Sequence, residues 1–201
     1  MEQITDINRK EYWDVRYQEN SDHWNLKTPN PVFSQLLDKY DAKHNSQLLV
    51  AGSGKGYDAM QASKKGFCVT AIDFSDEAIY TSTALAEQEN VKIDFINMDL
   101  FELSNTDLKF DLVYEYTTFC AVDPRRIEEL LKNFNAVLNP GGRFISVLFP
   151  IDGRIGGPPF SIDYLEFHKL ASQFWKLEYF SKDINSVKPR KEKEYLFIYK
   201  K

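Results

Sequence analysis

The sequence predicts an α/β sandwich, in which a mostly parallel seven-stranded sheet with an antiparallel end is covered by helices on both faces. Three observations predict it. Short apolar runs alternate with helical segments of 10–15 residues, the order that parallel strands and crossover helices require. The early runs LLVA, FCVTAI and FDLVYEY are almost continuously apolar, as strands buried on both faces must be. The last two runs follow each other through a linker with little helical pattern, which favours an antiparallel pair at one edge.

The elements read in order as follows. An N-terminal helix is expected over residues 6–19, carrying Tyr12, Trp13 and Tyr17. A short loop holds Trp24. Asn30 and Pro31 form an N-cap and first-turn proline that open a helix with Phe33, Leu36, Leu37 and Tyr40 on one face. Leu48 to Ala51 is the first strand and runs straight into glycines. A helix from Lys55 to Lys65 leads to a second strand, Phe67 to Ile72, ending at Asp73. Ser75 caps a helix reaching Glu89. Val91 to Ile96 and Phe110 to Tyr116 are strands three and four. Asp123 and Pro124 open a helix that Asn139-Pro140-Gly141-Gly142 is expected to stop, before a fifth strand from Arg143 to Phe149. The loop GRIGGPPF precedes a helix over 161–174. Strands at 177–183 and 195–199 close the chain. This is a Rossmann-like order, with residues 1–45 as a helical lid region across the ligand crevice of a single 1–201 domain.

Composition narrows the function classes. The chain has 201 residues, enough for one domain to bury roughly 70% of its unfolded surface without staples. A net charge of −5 makes nucleic acid and anionic membrane poor default partners. The basic stretch Lys188 to Lys193 reads as a solvated charged segment. Two cysteines, Cys68 and Cys120, give neither a disulfide framework nor metal-ligand spacing, and the scattered His23, His44 and His168 suggest no metal site. No secretory h-region and no apolar run of spanning length is visible, so the expected location is cytoplasmic. The sequence leaves the oligomeric state open, and a monomer is compatible with it.

Chemistry concentrates where the first strand meets its helix. In open α/β sheets the ligand lies beyond the carboxyl ends of the strands. There the sequence reads LVAGSGKGYD, so Gly52, Gly54 and Gly56 can turn tightly and admit a ligand without a Cβ in the way. Asp73 ends the next strand, where a carboxylate can accept from both hydroxyls of a ribose. The GxGxG spacing is one residue shorter than the dinucleotide pattern, and Asp58 in the first helical turn opposes a phosphate. A nucleoside ligand without phosphate, S-adenosylmethionine, fits better. Asp99, with Leu100 or Phe101 behind it, is placed to hold an adenine, although a turn or cap role fits Asp99 taken alone.

At these residues the chain resembles the thiopurine S-methyltransferase family, and most closely its thiol and halide methyltransferase branch. The glycine segment LLVAGSGKGYDAMQASKKGFCVTAIDFSDEAI carries the resemblance, joined by YWDVRYQENSDHW with TPNPVF, FDLVYEYTTFCAVDP, LFPIDGRIGGPPF and PRKEKE. It implies methyl transfer from S-adenosylmethionine to a small soft nucleophile such as a thiol, sulfide, thiocyanate, halide or thiopurine. It implies that Trp13 and Trp24 cover the cofactor, Gly52, Gly54 and Asp73 hold its aminoacyl end and ribose, Asp99 and Leu100 its adenine, and that Tyr116 borders its methionine part. Phe149 and Phe160 would line the acceptor pocket, with Phe119 and Trp24 as further candidates. The chain departs from the branch at Ala51, Ser53 and Thr118, where proline, cysteine and phenylalanine are usual. Phe149 and Phe160 stand where tyrosines are common, which removes two hydroxyls from the acceptor side. A soft anion needs no strong general base, and the one histidine within the matched motifs, His23, reads as a surface or half-buried side chain. An O- or N-methyltransferase of a small metabolite, a non-catalytic binding module and a nicotinamide-linked oxidoreductase are the other readings the sequence allows.

Overall fold

The computed structural model describes residues 5–40 and 46–201. His44 and the ends of the expected lid, 1–4 and 41–45, lie outside the described residues. The chain runs α1 (Lys10–Gln18), α2 (Pro31–Leu37), β1 (Gln47–Ala51), α3 (Tyr57–Lys64), β2 (Cys68–Asp73), α4 (Asp76–Gln88) and β3 (Asp94–Asn97). It continues with β4 (Phe110–Tyr116), α5 (Ile127–Val137), β5 (Leu138–Leu148), α6 (Tyr164–Ala171), β6 (Lys176–Ser181) and β7 (Tyr195–Lys200). The strands form one seven-stranded sheet in the order β3-β2-β1-β4-β5-β7-β6. The first five are parallel. β7 enters antiparallel between β5 and β6.

The order fixes the ligand position. From β1 the chain winds outward through β2 and β3, then returns to pair β4 against the other side of β1. This reversal leaves a crevice at the carboxyl ends of β1 and β4. One face of the sheet carries an aromatic core in which Phe119, Phe134, Phe144, Phe167 and Trp175 pack under α5 and α6. The other face buries Val32, Phe33, Leu36 and Leu37 of α2 with Ala59 and Ala62 of α3 against Leu48, Val50 and Tyr114. Phe33 stacks flat on Tyr114 with ring centroids 3.7 Å apart. Asn30 caps α2 by accepting from the Val32 N–H at 2.8 Å, and Ser75 caps α4 through the Ala78 N–H at 3.1 Å.

Several boundaries differ from the sequence expectation by a few residues, β3 starting at Asp94 and α6 spanning Tyr164–Ala171 among them, and two have a local physical cause. The first helix starts at Lys10 rather than residue 6, because Asp6 is spent on a turn and accepts from the Asn8 N–H at 3.0 Å. Asn139-Pro140-Gly141-Gly142 does not stand between helix and strand. β5 begins at Leu138, directly after α5, and absorbs all four residues as an irregularity while its pairing shifts between Phe110 and Leu112 of β4. Gly142 is held close there: a Cβ would stand 2.9 Å from the Asp111 carbonyl oxygen. Among the described residues no helix is long and apolar enough to cross a membrane.

Candidate functional site

β1 ends at Ala51 and the chain turns through Gly52 (φ +61°) and Gly54 (φ +52°), backbone that an L side chain adopts only with strain. Asp73, at the end of neighbouring β2, faces this turn. Its Oδ2 accepts from the Gly54 N–H at 2.7 Å and its Oδ1 from the Ser75 N–H at 3.0 Å. The side chain is nearly buried, and burial raises its pKa against the opposing pull of the Ser75, Gly54 and Phe74 N–H groups.

Above the turn lies a crevice of about 540 Å³. Tyr12, Trp13, Tyr17 and Trp24 form its roof. Trp24 stands edge-on to both Trp13 and Tyr17, at 5.6 and 5.5 Å, and donates from its indole N–H to the Tyr17 hydroxyl at 3.2 Å. One end is lined by Asp99, Leu100 and Phe101, with the Arg126 guanidinium 3.5 Å above the Phe101 ring. Asp99 is both a cap and a crevice residue: its Oδ1 accepts from the Phe101 N–H at 3.0 Å. The other end is lined by Cys120, Phe149, Arg154, Pro158, Pro159 and Arg190. A recess of about 60 Å³ adjoins the glycine turn, between Trp24, Ser53, Lys55, Asp58 and Tyr116.

The lid is fastened to this frame by polar contacts. Asp14 accepts from the Ser75 hydroxyl at 2.6 Å, Asp22 pairs with Lys55 at 3.0 Å, and the Asn30 N–H donates to Asp58 at 2.6 Å. Asp58 also accepts from the Tyr114 hydroxyl at 3.2 Å, yet burial dominates and lifts its pKa to about 6.

Of the residues expected from the sequence, Trp13, Trp24, Gly52, Asp73, Asp99, Leu100 and Phe149 border the crevice, and Gly54 and Tyr116 border the recess. Two expectations are corrected. Phe119 lies in the core at 1% exposure, edge-on to Phe167 at 4.9 Å, because its position in the turn after β4 points it into the aromatic cluster. Phe160 does not line the crevice. Its N–H donates to the Cys120 carbonyl at 2.8 Å and its ring packs on Gly157, leaving the wall to Pro158 and Pro159.

Sequence reasoning missed Arg190. It belongs to the basic stretch expected to be solvated, yet it is only 6% exposed. Its guanidinium donates to the Tyr116 hydroxyl and to the Trp24 carbonyl, each at 2.5 Å, and lies 4.9 Å from the Phe149 ring centroid. Tyr116 in turn donates to Glu194 at 2.5 Å. Arg190 thus joins lid, crevice and C-terminal strand. The only hint in the sequence was its place in the PRKEKE segment. Thr117, Thr118 and Cys120 were also passed over as crevice residues.

Comparison with known proteins identifies the family and the fold. The model of the family described as thiopurine S-methyltransferase matches residues 8–200. The chain is 34% identical to a probable thiol methyltransferase 2 of Arabidopsis thaliana over 167 residues, 79% of this chain and 70% of that protein. It is 28% identical to thiocyanate methyltransferase 1 of the same plant, over 94% of this chain and 84% of the relative. In fold it is similar to the Burkholderia thailandensis 1,6-didemethyltoxoflavin-N1-methyltransferase solved with bound 1,6-didemethyltoxoflavin and S-adenosylhomocysteine. That likeness has a TM-score of 0.74 at 19% identity and covers 96% of this chain and 86% of that one. The chain therefore belongs to the thiopurine S-methyltransferase family and is a methyltransferase.

Proposed function

We propose that the protein transfers a methyl group from S-adenosylmethionine to a small thiol-type nucleophile held at the Cys120–Phe149–Arg190 end of the crevice. The observation that carries the reading is the Asp73 carboxylate aimed at the Gly52–Gly54 turn beneath an aromatic roof. The residues fit the donor. Three N–H groups, of Gly54, Ser75 and Phe74, donate to Asp73, which leaves its carboxylate one lone pair for a ribose hydroxyl. Ser53 Oγ is buried at the recess wall without a hydrogen-bond partner among the described residues, as a group awaiting an aminoacyl end would be. A Cβ at Gly54 would come within 3.1 Å of the Tyr17 hydroxyl and narrow the passage.

S-adenosylmethionine supplies a methyl group already activated on a sulfonium. Asp99, Leu100 and Phe101 take the adenine end, and Ser53, Asp58 and Tyr116 face the aminoacyl end. Trp13, Trp24 and Tyr17 present ring faces and edges that shield a cation from water. Arg190 offers a buried positive charge with no carboxylate in direct contact among the described residues, a setting that favours an acceptor entering as an anion. Phe149 and the two prolines keep that end dry, so orientation and desolvation replace a general base. The relatives named as thiol, thiocyanate and thiopurine methyltransferases support this acceptor class.

Calorimetric titration with S-adenosylmethionine is expected to give saturable binding, and Asp73→Ala to weaken it by ~1–3 kcal/mol. Incubation with labelled donor and a panel of thiols, sulfide, thiocyanate, halides and thiopurines is expected to release S-adenosylhomocysteine. No binding by the wild type, or turnover confined to hydroxyl and amine acceptors, would overturn the reading.

A further inference from the structure

Glu115 stands in the middle of the sheet at 1% exposure, beside Ala51 of β1 and Ser146 of β5. A carboxylate in that position is costly, and an apolar residue would suit the strand. Among the described residues no ion pair reaches it. Its partners are instead the Ser146 hydroxyl and two backbone N–H groups, those of Thr118, at 3.2 Å, and Phe119. Two of its three donors thus belong to the turn that follows β4. That turn is strained at Thr117, a non-glycine residue with φ +62°. Within it the Thr118 hydroxyl donates to the Ala51 carbonyl at 3.0 Å, and the Cys120 thiol donates to the Thr117 carbonyl at 3.1 Å. Thr117, Thr118 and Cys120 all line the crevice, between the Gly52 turn and Phe149.

We propose that Glu115 is a positioning residue for methyl transfer: from inside the sheet, its carboxylate sets the Thr117–Cys120 turn on which donor and acceptor meet. The proposal rests on the methyl-transfer reading of the crevice. A strained turn persists only when its surroundings over-determine it, and the carboxylate adds two N–H bonds to the single tie from Thr118 to Ala51 of β1. It has a second consequence. A crevice built for soft nucleophiles contains its own sulfur, Cys120, and that thiol must stay protonated while the acceptor reacts. Burial first, and Glu115 next, push the Cys120 thiol up to about 12, against the pull of Arg190 and Arg154. Tyr114, on the same strand as Glu115, also feels its charge.

Glu115→Ala and Glu115→Gln separate the two effects. The amide keeps an oxygen to accept the turn's N–H groups and a nitrogen to donate to Ser146, but carries no charge. With sodium sulfide or 2-mercaptoethanol as acceptor, Glu115→Ala is expected to lower kcat by at least ~10-fold, with the calorimetric Kd for S-adenosylmethionine within ~3-fold of wild type. Glu115→Gln is expected to recover kcat to within ~3-fold, and to raise the rate of iodoacetamide alkylation at Cys120 by at least ~3-fold at pH 8, with Cys68 unchanged. Peptide mass spectrometry reads the two thiols apart. An Ala variant with wild-type kcat, an equal loss in both variants, or unchanged labelling of Cys120 in the Gln variant would each overturn the proposal. Should the Ala variant fail to fold, Ser146→Ala reads the same link: kcat is expected to fall by at least ~3-fold in a folded protein, and wild-type turnover would overturn it. Failure of the wild type to bind S-adenosylmethionine would instead reject the underlying reading, which these outcomes leave intact.

Discussion

Gly52 has a φ of +61°, and a Cβ built on it would stand 2.5 Å from the Thr118 Oγ1. Conformation and space therefore both demand glycine, and both demands come from the site, since Thr118 is fixed by its bond to the Ala51 carbonyl. Gly52→Ala is expected to destabilise the protein by ~1–3 kcal/mol, from the left-handed backbone together with the clash. Thr118→Ala in the same chain removes the clash and leaves the backbone strain. Urea denaturation of the single and double variants is thus expected to show partial recovery. Full recovery would show that φ costs nothing here, and no recovery that the clash does not matter. The sequence made Gly52 and Asp73 legible because their chemistry depends on residue type at a fixed place: a glycine where the chain must turn, a carboxylate at a strand end. It left Phe119 and Phe160 illegible because an aromatic ring in a loop carries no mark of which way it faces. Arg190 was hidden for a related reason. A basic run gives no sign that one of its members turns inward to meet Tyr116 and Trp24.

The lid shows what separate elements contribute. α1 and the loop to α2 carry the roof of the crevice, yet α1 buries few residues of its own, and it docks by polar ties to the frame. Asp22 and Lys55 form the most enclosed ion pair among the described residues, at 7% and 16% side-chain exposure. Lys55→Met leaves the Asp22 carboxylate buried without its cation, a change expected to cost ~1–3 kcal/mol locally. Hydrogen exchange is expected to quicken across residues 12–30 while the strands of the sheet keep their protection, and S-adenosylmethionine binding is expected to weaken. Exchange unchanged in the lid would show that the aromatic contacts hold it without the ion pair. Elements were the most legible scale in the sequence. β4 matched its expected range from Phe110 to Tyr116, because an apolar run bounded by polar residues admits one assignment. The Asn139–Gly142 segment did not, because proline and glycine signal a break in one element without saying whether the next has already begun.

The whole molecule carries an unusual electrostatic load at its centre. Burial raises Asp58 to about 6 and Glu115 to about 7, and it also raises Asp73 and Glu194. In the unfolded chain such groups titrate near ~3.9 for Asp and ~4.3 for Glu. Between those values and the folded ones, the folded protein holds protons that the unfolded chain has released, so its stability falls as pH rises. The fall starts near pH ~4 and is complete once Glu115 has ionised, above pH ~7.5. Asp58 sets an upper limit of ~3 kcal/mol on it and Glu115 one of ~4 kcal/mol. Two carboxylates near the surface act oppositely: Asp123 and Asp152 are held down to about 2 by hydrogen bonds from Arg125 and Arg154. Their contribution is present above the usual carboxylate range and is lost only as pH drops below ~4, outside this window. Without ligand, urea midpoints are therefore expected to decline from pH 5 to pH 8. Glu115→Gln is expected to flatten the upper part of the decline and Asp58→Asn the lower part. A midpoint that rises across this range would mean that water or a counter-ion reaches the centre of the sheet, and that these carboxylates ionise without cost.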